Sequence, residues 1–325
     1  MNEEQLGTGA EISAEDIRTI KHEDLAFAGE PLIKGGVNYV PDDIEHQHRV
    51  GICTAISFIQ NREKANGKKY SADFQYLLQK KYFDKAWYEG SSIFHALKVG
   101  YNFGLLPLQY WFFTTEQDRY LPYEEYSAKL EAITDEEIKK LLALCEDKIA
   151  GYASVNVSDP QAIAKAINES EAGILCRYDC GSTWWTPSWL ASDINPLRKP
   201  IPATSGHAII MSSFDYTLSI MQNLANTWGS TWCKQGNADI NWENYKMTEA
   251  WSILKTKPEP KYIFTKLLKI GMRNDDVKQL QKKLGITTDG IFGNNTLKAV
   301  KEFQKKNNLV ADGIVGKNTN AILNK

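Results

Sequence analysis

Four residues in this chain of 325 have the types and spacing needed to attack an amide. Cys53 opens a run with apolar residues at Ile52, Ala55, Ile56 and Ile59, the spacing of one buried helical face. The thiol is therefore predicted at a helix N-terminus, where the partial positive charge and unpaired N–H groups favour thiolate over thiol. Gln47, six residues earlier on the preceding loop, can aim its side-chain NH₂ at an oxygen on the carbon under attack. His207 lies 154 residues after Cys53, and Asn226 a further 19 residues on. An imidazole there can hold the thiol's proton and later deliver it to a leaving amine, while a carboxamide fixes the imidazole's orientation. Singly, each residue has an ordinary reading as a buried filler, a satisfied core histidine or a turn asparagine. Jointly and in this order, they point to one site.

To meet, these residues need elements drawn from more than half the chain. The helix from Cys53 should end at Gly67, after Lys64-Ala65-Asn66. Helical patterning continues over 71–105, with one stripe at Phe74, Leu77, Leu78 and Tyr82 and another at Ile93, Leu97 and Tyr101. Between the stripes lies Tyr88-Glu89-Gly90-Ser91-Ser92, where a backbone could approach closely. A third helix is expected over 135–145. Strands are expected over 153–157, 173–178, 207–211 and 217–224, with a short helix over 159–167 carrying Pro160 in its first turn and a long loop from Trp184. Gly35 to Pro41 reads as a short β-like run. Helices first and strands afterwards give an α+β arrangement of two lobes, helical and antiparallel β, with a cleft between them.

On these residues, the chain from about 35 to 254 resembles the papain-like cysteine peptidases. Gln47 and Cys53 are similar to that family's oxyanion-hole glutamine and nucleophile, Gly206-His207-Ala208 to its histidine strand, and Asn226-Thr227-Trp228-Gly229 to its Asn-Ser-Trp-Gly segment. The resemblance implies that Trp228 shields the histidine–asparagine hydrogen bond, and that Gly51, Gly90 and Ser91 line the substrate cleft. It implies a peptidase that uses no cofactor and no metal. Thr54 stands where the family has an aromatic residue, and Val50-Gly51 lacks the preceding disulfide cysteine. The Cys–His and Cys–Asn separations, 154 and 173, exceed the family's usual span of about 130–150. Extra residues around 184–202 would account for the excess.

The total charge of −2 hides an asymmetry. Residues 261–325 hold thirteen Lys and Arg against five Asp and Glu, a net +8, which leaves −10 for the rest. A short charged, Pro-containing linker over 255–266 separates the two parts. Within 267–325, Asp289-Gly290-Ile291-Phe292-Gly293-Asn294-Asn295-Thr296 recurs 23 residues later as Asp312-Gly313-Ile314-Val315-Gly316-Lys317-Asn318-Thr319. Each copy is an Asp-Gly turn ahead of a helix start, so the two can frame a shallow groove. This module is similar to the three-helix peptidoglycan-binding domains of bacterial and phage wall hydrolases. The resemblance implies wall contacts at Asp289, Gly290, Asp312 and Gly313. Nucleic acid is disfavoured as a partner, because Arg273 is the module's single arginine and stacking aromatics are few.

Taken together, the expectation is a monomeric cysteine endopeptidase with a Cys-His-Asn triad, targeted to the bacterial cell wall in an endolysin-like way, its substrate peptide or protein. The alternatives are a wall-tethered protease acting on proteins, and a catalytically silent wall-binding protein. No apolar run is long enough to insert in a bilayer, and the acidic Met1-Asn2-Glu3-Glu4-Gln5 lacks a secretory layout. Residues 1–34 read as a tail or short inhibitory prosegment, with Ser13-Ala14-Glu15-Asp16 a possible capping box. The five cysteines are too few for a disulfide scaffold, and their pairing stays open. His46 and His48, alternating on a loop, are expected to face solvent rather than a metal.

Overall fold

In a computed structural model, the chain divides into two compact units, Met1–Pro258 and Glu259–Lys325. The structure describes residues 9–11, 20–21, 31–36, 44–180, 205–217, 220–233, 235–241, 247–256 and 262–324. The expected capping box at 13–16, most of the β-like run over 35–41, the extra residues at 184–202 and the middle of the 255–266 linker lie outside these residues.

In the first unit, α1 (Cys53–Asn66) begins at the predicted cysteine and ends at Gly67, whose φ of 74° is the left-handed turn that glycine enters without strain. A single buried face was expected. Instead every residue from Cys53 to Arg62 is buried, because α2 (Ala72–Leu78) and α3 (Ile93–Asn102) cover one side and the long strand Ser205–Asp215 the other. Its polar residues are therefore bonded rather than solvated. Thr54 Oγ1 donates to Gln79 at 3.0 Å, Asn61 to the carbonyls of Ala172 and Gly173, and Arg62 grips Asp147 with two bonds of 2.9 and 3.0 Å. Thr54 thus serves as a buried hydroxyl at the position where the family that this stretch resembles has an aromatic ring.

Ser71 and Ser92 cap α2 and α3 by accepting the N–H of Phe74 and His95. The helical patterning expected over 71–105 is broken between them. After α2 comes a π-turn (Gln79–Asp84) and Lys85 at φ 56°, and the loop through Gly90 follows. Two further helices, α4 (Tyr123–Glu131) and α5 (Asp135–Leu142), complete this side. Helix α4, which was not expected from the sequence, begins directly after Pro122, whose extended backbone leads into its first turn. Another helix, α6 (Pro160–Glu169), flanks the sheet.

The strands are β1 (Ala10–Glu11), β2 (Ile20–Lys21), β3 (Lys34–Gly36), β4 (Ser91–Ser92), β5 (Gly151–Ser154), β6 (Ile174–Cys180), β7 (Ser205–Asp215), β8 (Ile220–Ala225), β9 (Asn237–Asn241) and β10 (Glu249–Leu254). The main sheet runs β2-β5-β10-β6-β7-β8-β9 and is antiparallel apart from the β2–β5 pair. Strand β3 joins the far end of β7 beyond the last β6 pair, with Gly36 opposite Ser213. A separate two-stranded ladder pairs β1 with β4 in parallel. One apolar core joins α1–α5 to one face of the sheet through Leu175, Ala208, Ile210 and Trp251, and a second lies on the other face, where α6 packs on Ile174, Cys176, Ile209 and Met211.

The second unit packs α7 (Asp275–Lys283), α8 (Asn294–Lys306) and α9 (Lys317–Leu323) around Phe264, Leu268, Val277, Leu280, Phe292, Val300, Val315 and Leu323. Its internal repeat extends further back than the Asp-Gly turns. Gln281 donates to Asp289 at 2.7 Å, to the Ile291 carbonyl at 3.0 Å and to Thr296 at 3.0 Å. Gln304 repeats the pattern on Asp312, Ile314 and Thr319 at 2.9, 2.9 and 3.1 Å. Each turn glycine, Gly290 and Gly313, in turn donates its N–H to that glutamine.

Candidate active site

Helix α1 places Cys53 at its first position, fully buried. The sulfur is met by the backbone N–H groups of Ala208, Thr54 and Cys53 itself, and by the charge of Arg177. Burial outweighs these and pushes the thiol up to about 11. Since Ala208 is the neighbour of His207, the sulfur reaches the same stretch of β7 as the imidazole.

His207 Nε2 lies 2.6 Å from Asn226 Oδ1, with both residues fully buried. Asn226 Oδ1 also accepts the Thr227 N–H at 2.7 Å, so an oxygen rather than the NH₂ faces the ring, and the ring nitrogen is the donor. The Asn226 carbonyl is anchored from two turns along α1 by Gln60 Nε2 at 3.3 Å. Trp228 stacks on His207 with centroids 4.4 Å apart and planes 21° apart, covering the bond from water. Burial lowers His207 to about 4, against the Asn226 bond, which raises it. In this conformation the pair is thus neutral thiol and neutral imidazole across the range from weak acid to weak base.

Gln47 joins the constellation through backbone and side chain. Its N–H donates to the Thr227 carbonyl at 2.9 Å, its Oε1 accepts the Thr227 hydroxyl, and its Nε2 donates to the Val50 carbonyl at 2.9 Å. The loop is held from behind by Arg119, which bonds Asp73, Glu45 and the His46 carbonyl at 3.0, 2.6 and 3.1 Å. His48 departs from the expected solvent exposure: its ring is buried, stacked on His46 at 3.9 Å and bonded to Glu116 at 2.9 Å. The aromatic Tyr120 closes over it, which the loop's sequence did not signal.

Gly51, Gly90 and Ser91 lie together, and the N-terminal strand lies among them. Gly9 donates to the Gly206 carbonyl at 3.1 Å and accepts from Ser91 N–H at 2.9 Å. A side chain on Gly9 would meet Gly90 Cα at 2.8 Å and Gly51 O at 3.1 Å, and its φ of 155° is a glycine conformation. The Gly90 carbonyl is held by Lys80, a fully buried ammonium that pairs with Asp84 at 3.0 Å, and Asp84 bonds His95 and Ser91 in turn. The Gly51 N–H is taken by the Glu89 carboxylate. All five cysteines are thiols.

Sequence reasoning missed Arg177, Arg119, Lys80 and Thr227. Arg177 did carry a signal, as the one charge inside the apolar run Ile174-Leu175-Cys176-Arg177-Tyr178. In the second unit, the carboxylates of Asp289 and Asp312 accept from Gln281 and Gln304 and from their own turns' N–H groups at Ile291 and Ile314. These bonds hold both carboxylates below the usual range, the turn N–H being the larger cause.

Compared with solved structures, the chain is similar to xylellain, a cysteine protease from Xylella fastidiosa, at 20% identity, covering 78% of this chain and 97% of that one with a TM-score of 0.56. The fold is papain-like. Other papain-like matches include the Carica candamarcensis cysteine protease CMS1MS2 (15% identity, 66% of this chain and 92% of that one, TM-score 0.42) and procathepsin L 3 of Tenebrio molitor larval midgut (14%, 73% and 76%, 0.43). Residues 273–323 match the family described as "Putative peptidoglycan binding domain". No curated protein matches the chain. The papain-like unit is thus followed by a helical domain of the peptidoglycan-binding type, and among the described residues no helix is long and apolar enough to cross a membrane.

Proposed function

We propose that the papain-like unit is a cysteine-type endopeptidase acting through Cys53, His207 and Asn226, with Gln47 as oxyanion donor, and that the second unit holds it on peptidoglycan in the manner of an endolysin. The observation that carries this reading is the 2.6 Å His207–Asn226 bond under Trp228, beside a thiol at a helix N-terminus. In the reaction, His207 takes the Cys53 proton, the thiolate attacks the amide carbonyl, and the oxyanion is met by the Cys53 N–H and the Gln47 amide. The imidazolium protonates the departing amine, and water then clears the acyl-enzyme with His207 as base. Asn226 keeps the imidazole turned toward sulfur throughout.

The N-terminal strand makes this site latent. Gly9 and Ala10 occupy the floor between Gly51, Gly90 and Gly206, and their cover contributes to the dehydration that leaves thiol and imidazole neutral. Displacing β1 admits water, relaxes both shifts and lets the thiolate–imidazolium pair form.

The test is to incubate the protein in parallel with purified sacculi and with a denatured protein, and to look for new amino termini in each. New termini from sacculi alone are the expected result. Termini from the protein alone would move the substrate to proteins, and none from either, with β1 displaced, would overturn the peptidase reading.

A further inference from the structure

The cleft holds a cationic side chain that neither the triad nor the oxyanion loop uses. Arg177 sits in the middle of β6, 8% exposed, with its guanidinium laid against Gly206: a Cβ on that glycine would collide with Arg177 Nε, Arg177 Nη2 and the Ala10 carbonyl oxygen. These three atoms therefore share one small space, a residue away from His207. Arg177 Nε donates to Ala10 O at 2.8 Å. Its Nη1 is engaged by Asp179 at 2.6 Å and Thr248 at 2.7 Å, while Nη2 makes no hydrogen bond among the described residues. The Asp179 side chain is 49% exposed, so solvent screens its hold on the charge. Remove β1, and a fixed guanidinium fork with two N–H groups faces the cleft.

The strand that now fills the cleft shows what such a surface accepts. Ala10 offers an oxygen to Arg177, and on the opposite wall the Glu11 carboxylate accepts from Tyr88 OH at 3.1 Å. Lys80 Nζ lies 3.9 Å from the centre of that same tyrosine ring. Both walls thus present donors with a cation at hand, and both are satisfied by oxygen atoms of residues 10 and 11. A carboxylate matches a planar guanidinium fork better than a single carbonyl does, because both of its oxygens can be bonded at once.

We propose that Arg177 is the specificity-determining residue of the cleft and that the site takes peptides bearing a carboxylate where Ala10 now places its carbonyl. This rests on the peptidase reading above and names the substrate class it selects: acidic peptides, rather than apolar or basic ones. The charge of Arg177, which also favours the Cys53 thiolate, ties recognition to the reacting sulfur. A bound carboxylate neutralises the guanidinium that β1 had covered.

The experiment uses the full chain carrying Gly9→Val, which removes β1 from the cleft and is verified by alkylation of Cys53 with iodoacetamide. Peptide amides identical except for Glu or Gln at each of three positions before a fluorogenic leaving group are compared by kcat/KM. The same pairs are compared by calorimetric binding to the Cys53→Ala, Gly9→Val chain. At one position Glu is expected to exceed Gln by about tenfold in both readouts, the size of one charged hydrogen-bond pair. Arg177→Gln brings the ratio to within about twofold, and Arg177→Lys restores part of it. Equal binding of Glu and Gln peptides at every position, or no binding to the opened cleft, overturns the proposal whether or not turnover is seen. Preferential binding of the Glu peptide without any cleavage upholds the subsite and sinks the peptidase reading instead.

Discussion

Two side chains with opposite burial shifts set the behaviour of the site residues. His207, ordinarily near 6.5, is lowered to about 4, and Cys53, ordinarily near 9, is raised to about 11. Between pH 6.5 and pH 9 neither group differs in charge between folded and unfolded chains. Below pH 6.5 the unfolded histidine binds a proton that the folded one refuses, so stability falls progressively down to pH 4, by about 3 kcal/mol in all. Above pH 9 the unfolded thiol ionises while the folded one does not, and stability falls again. Denaturant midpoints measured from pH 4 to 10 should show this plateau, and His207→Gln should lose the part of the acid limb due to that residue. Burial lowers His46 as well, so the difference between wild type and variant, not the wild-type slope, isolates His207. At the same scale, Gln47→Ala in a β1-displaced chain should cost about 10²–10³ in kcat, as for other single oxyanion donors. A loss smaller than about fivefold would show that the Val50 and Thr227 bonds keep this amide out of the reaction.

At the scale of elements, the N-terminal strand and the loop behind Gln47 make opposite predictions. Gly9 fits only without a side chain and in a glycine conformation, so Gly9→Val cannot keep β1 in place. Cys53 alkylation by iodoacetamide should accelerate by at least about tenfold and peptide turnover should rise, since a covered thiol must wait for local opening. Unchanged alkylation would mean that β1 does not guard the sulfur. The Gln47 loop, by contrast, is fastened by a charge that cannot be removed cheaply. Arg119 is buried between Asp73 and Glu45, and Tyr126 adds a 2.7 Å bond to Asp73. Arg119→Met leaves the buried Asp73 and the half-buried Glu45 without their cation and should destabilise the first unit by about 3–5 kcal/mol in urea unfolding.

At the scale of the whole molecule, the chain is two units with separate cores and opposed charge. Deleting residues 259–325 should leave hydrolysis of a short peptide by a β1-displaced chain within about twofold, because no triad residue lies there. It should abolish co-sedimentation with purified sacculi. Retained sedimentation would place the wall contacts on the first unit. The sequence was enough to single out Cys53, His207 and Asn226, which the fold brings together, along with the helix at Cys53 and its stop at Gly67, Pro160 in the first turn of α6, and the doubled turn of the second unit. All of these are written in local patterns: periodicity, glycine positions, and residue types at a fixed order. It did not reveal that α1 is enclosed on all sides from Cys53 to Arg62, that Gln281 and Gln304 organise the repeated turns, or that His48 is buried. Those follow from what a distant segment brings to the same place, and no local pattern encodes a distant partner. The same holds for the cleft: a glycine near the N-terminus and an arginine within an apolar strand carry no chemistry until the sheet sets Arg177 against Gly206 and β1 beside Gly90. Residue types determined which reaction the chain could perform. Only the packing of β6, β7 and β1 decided which strand lies against Gly90 and Gly206 and which charge stands near the sulfur.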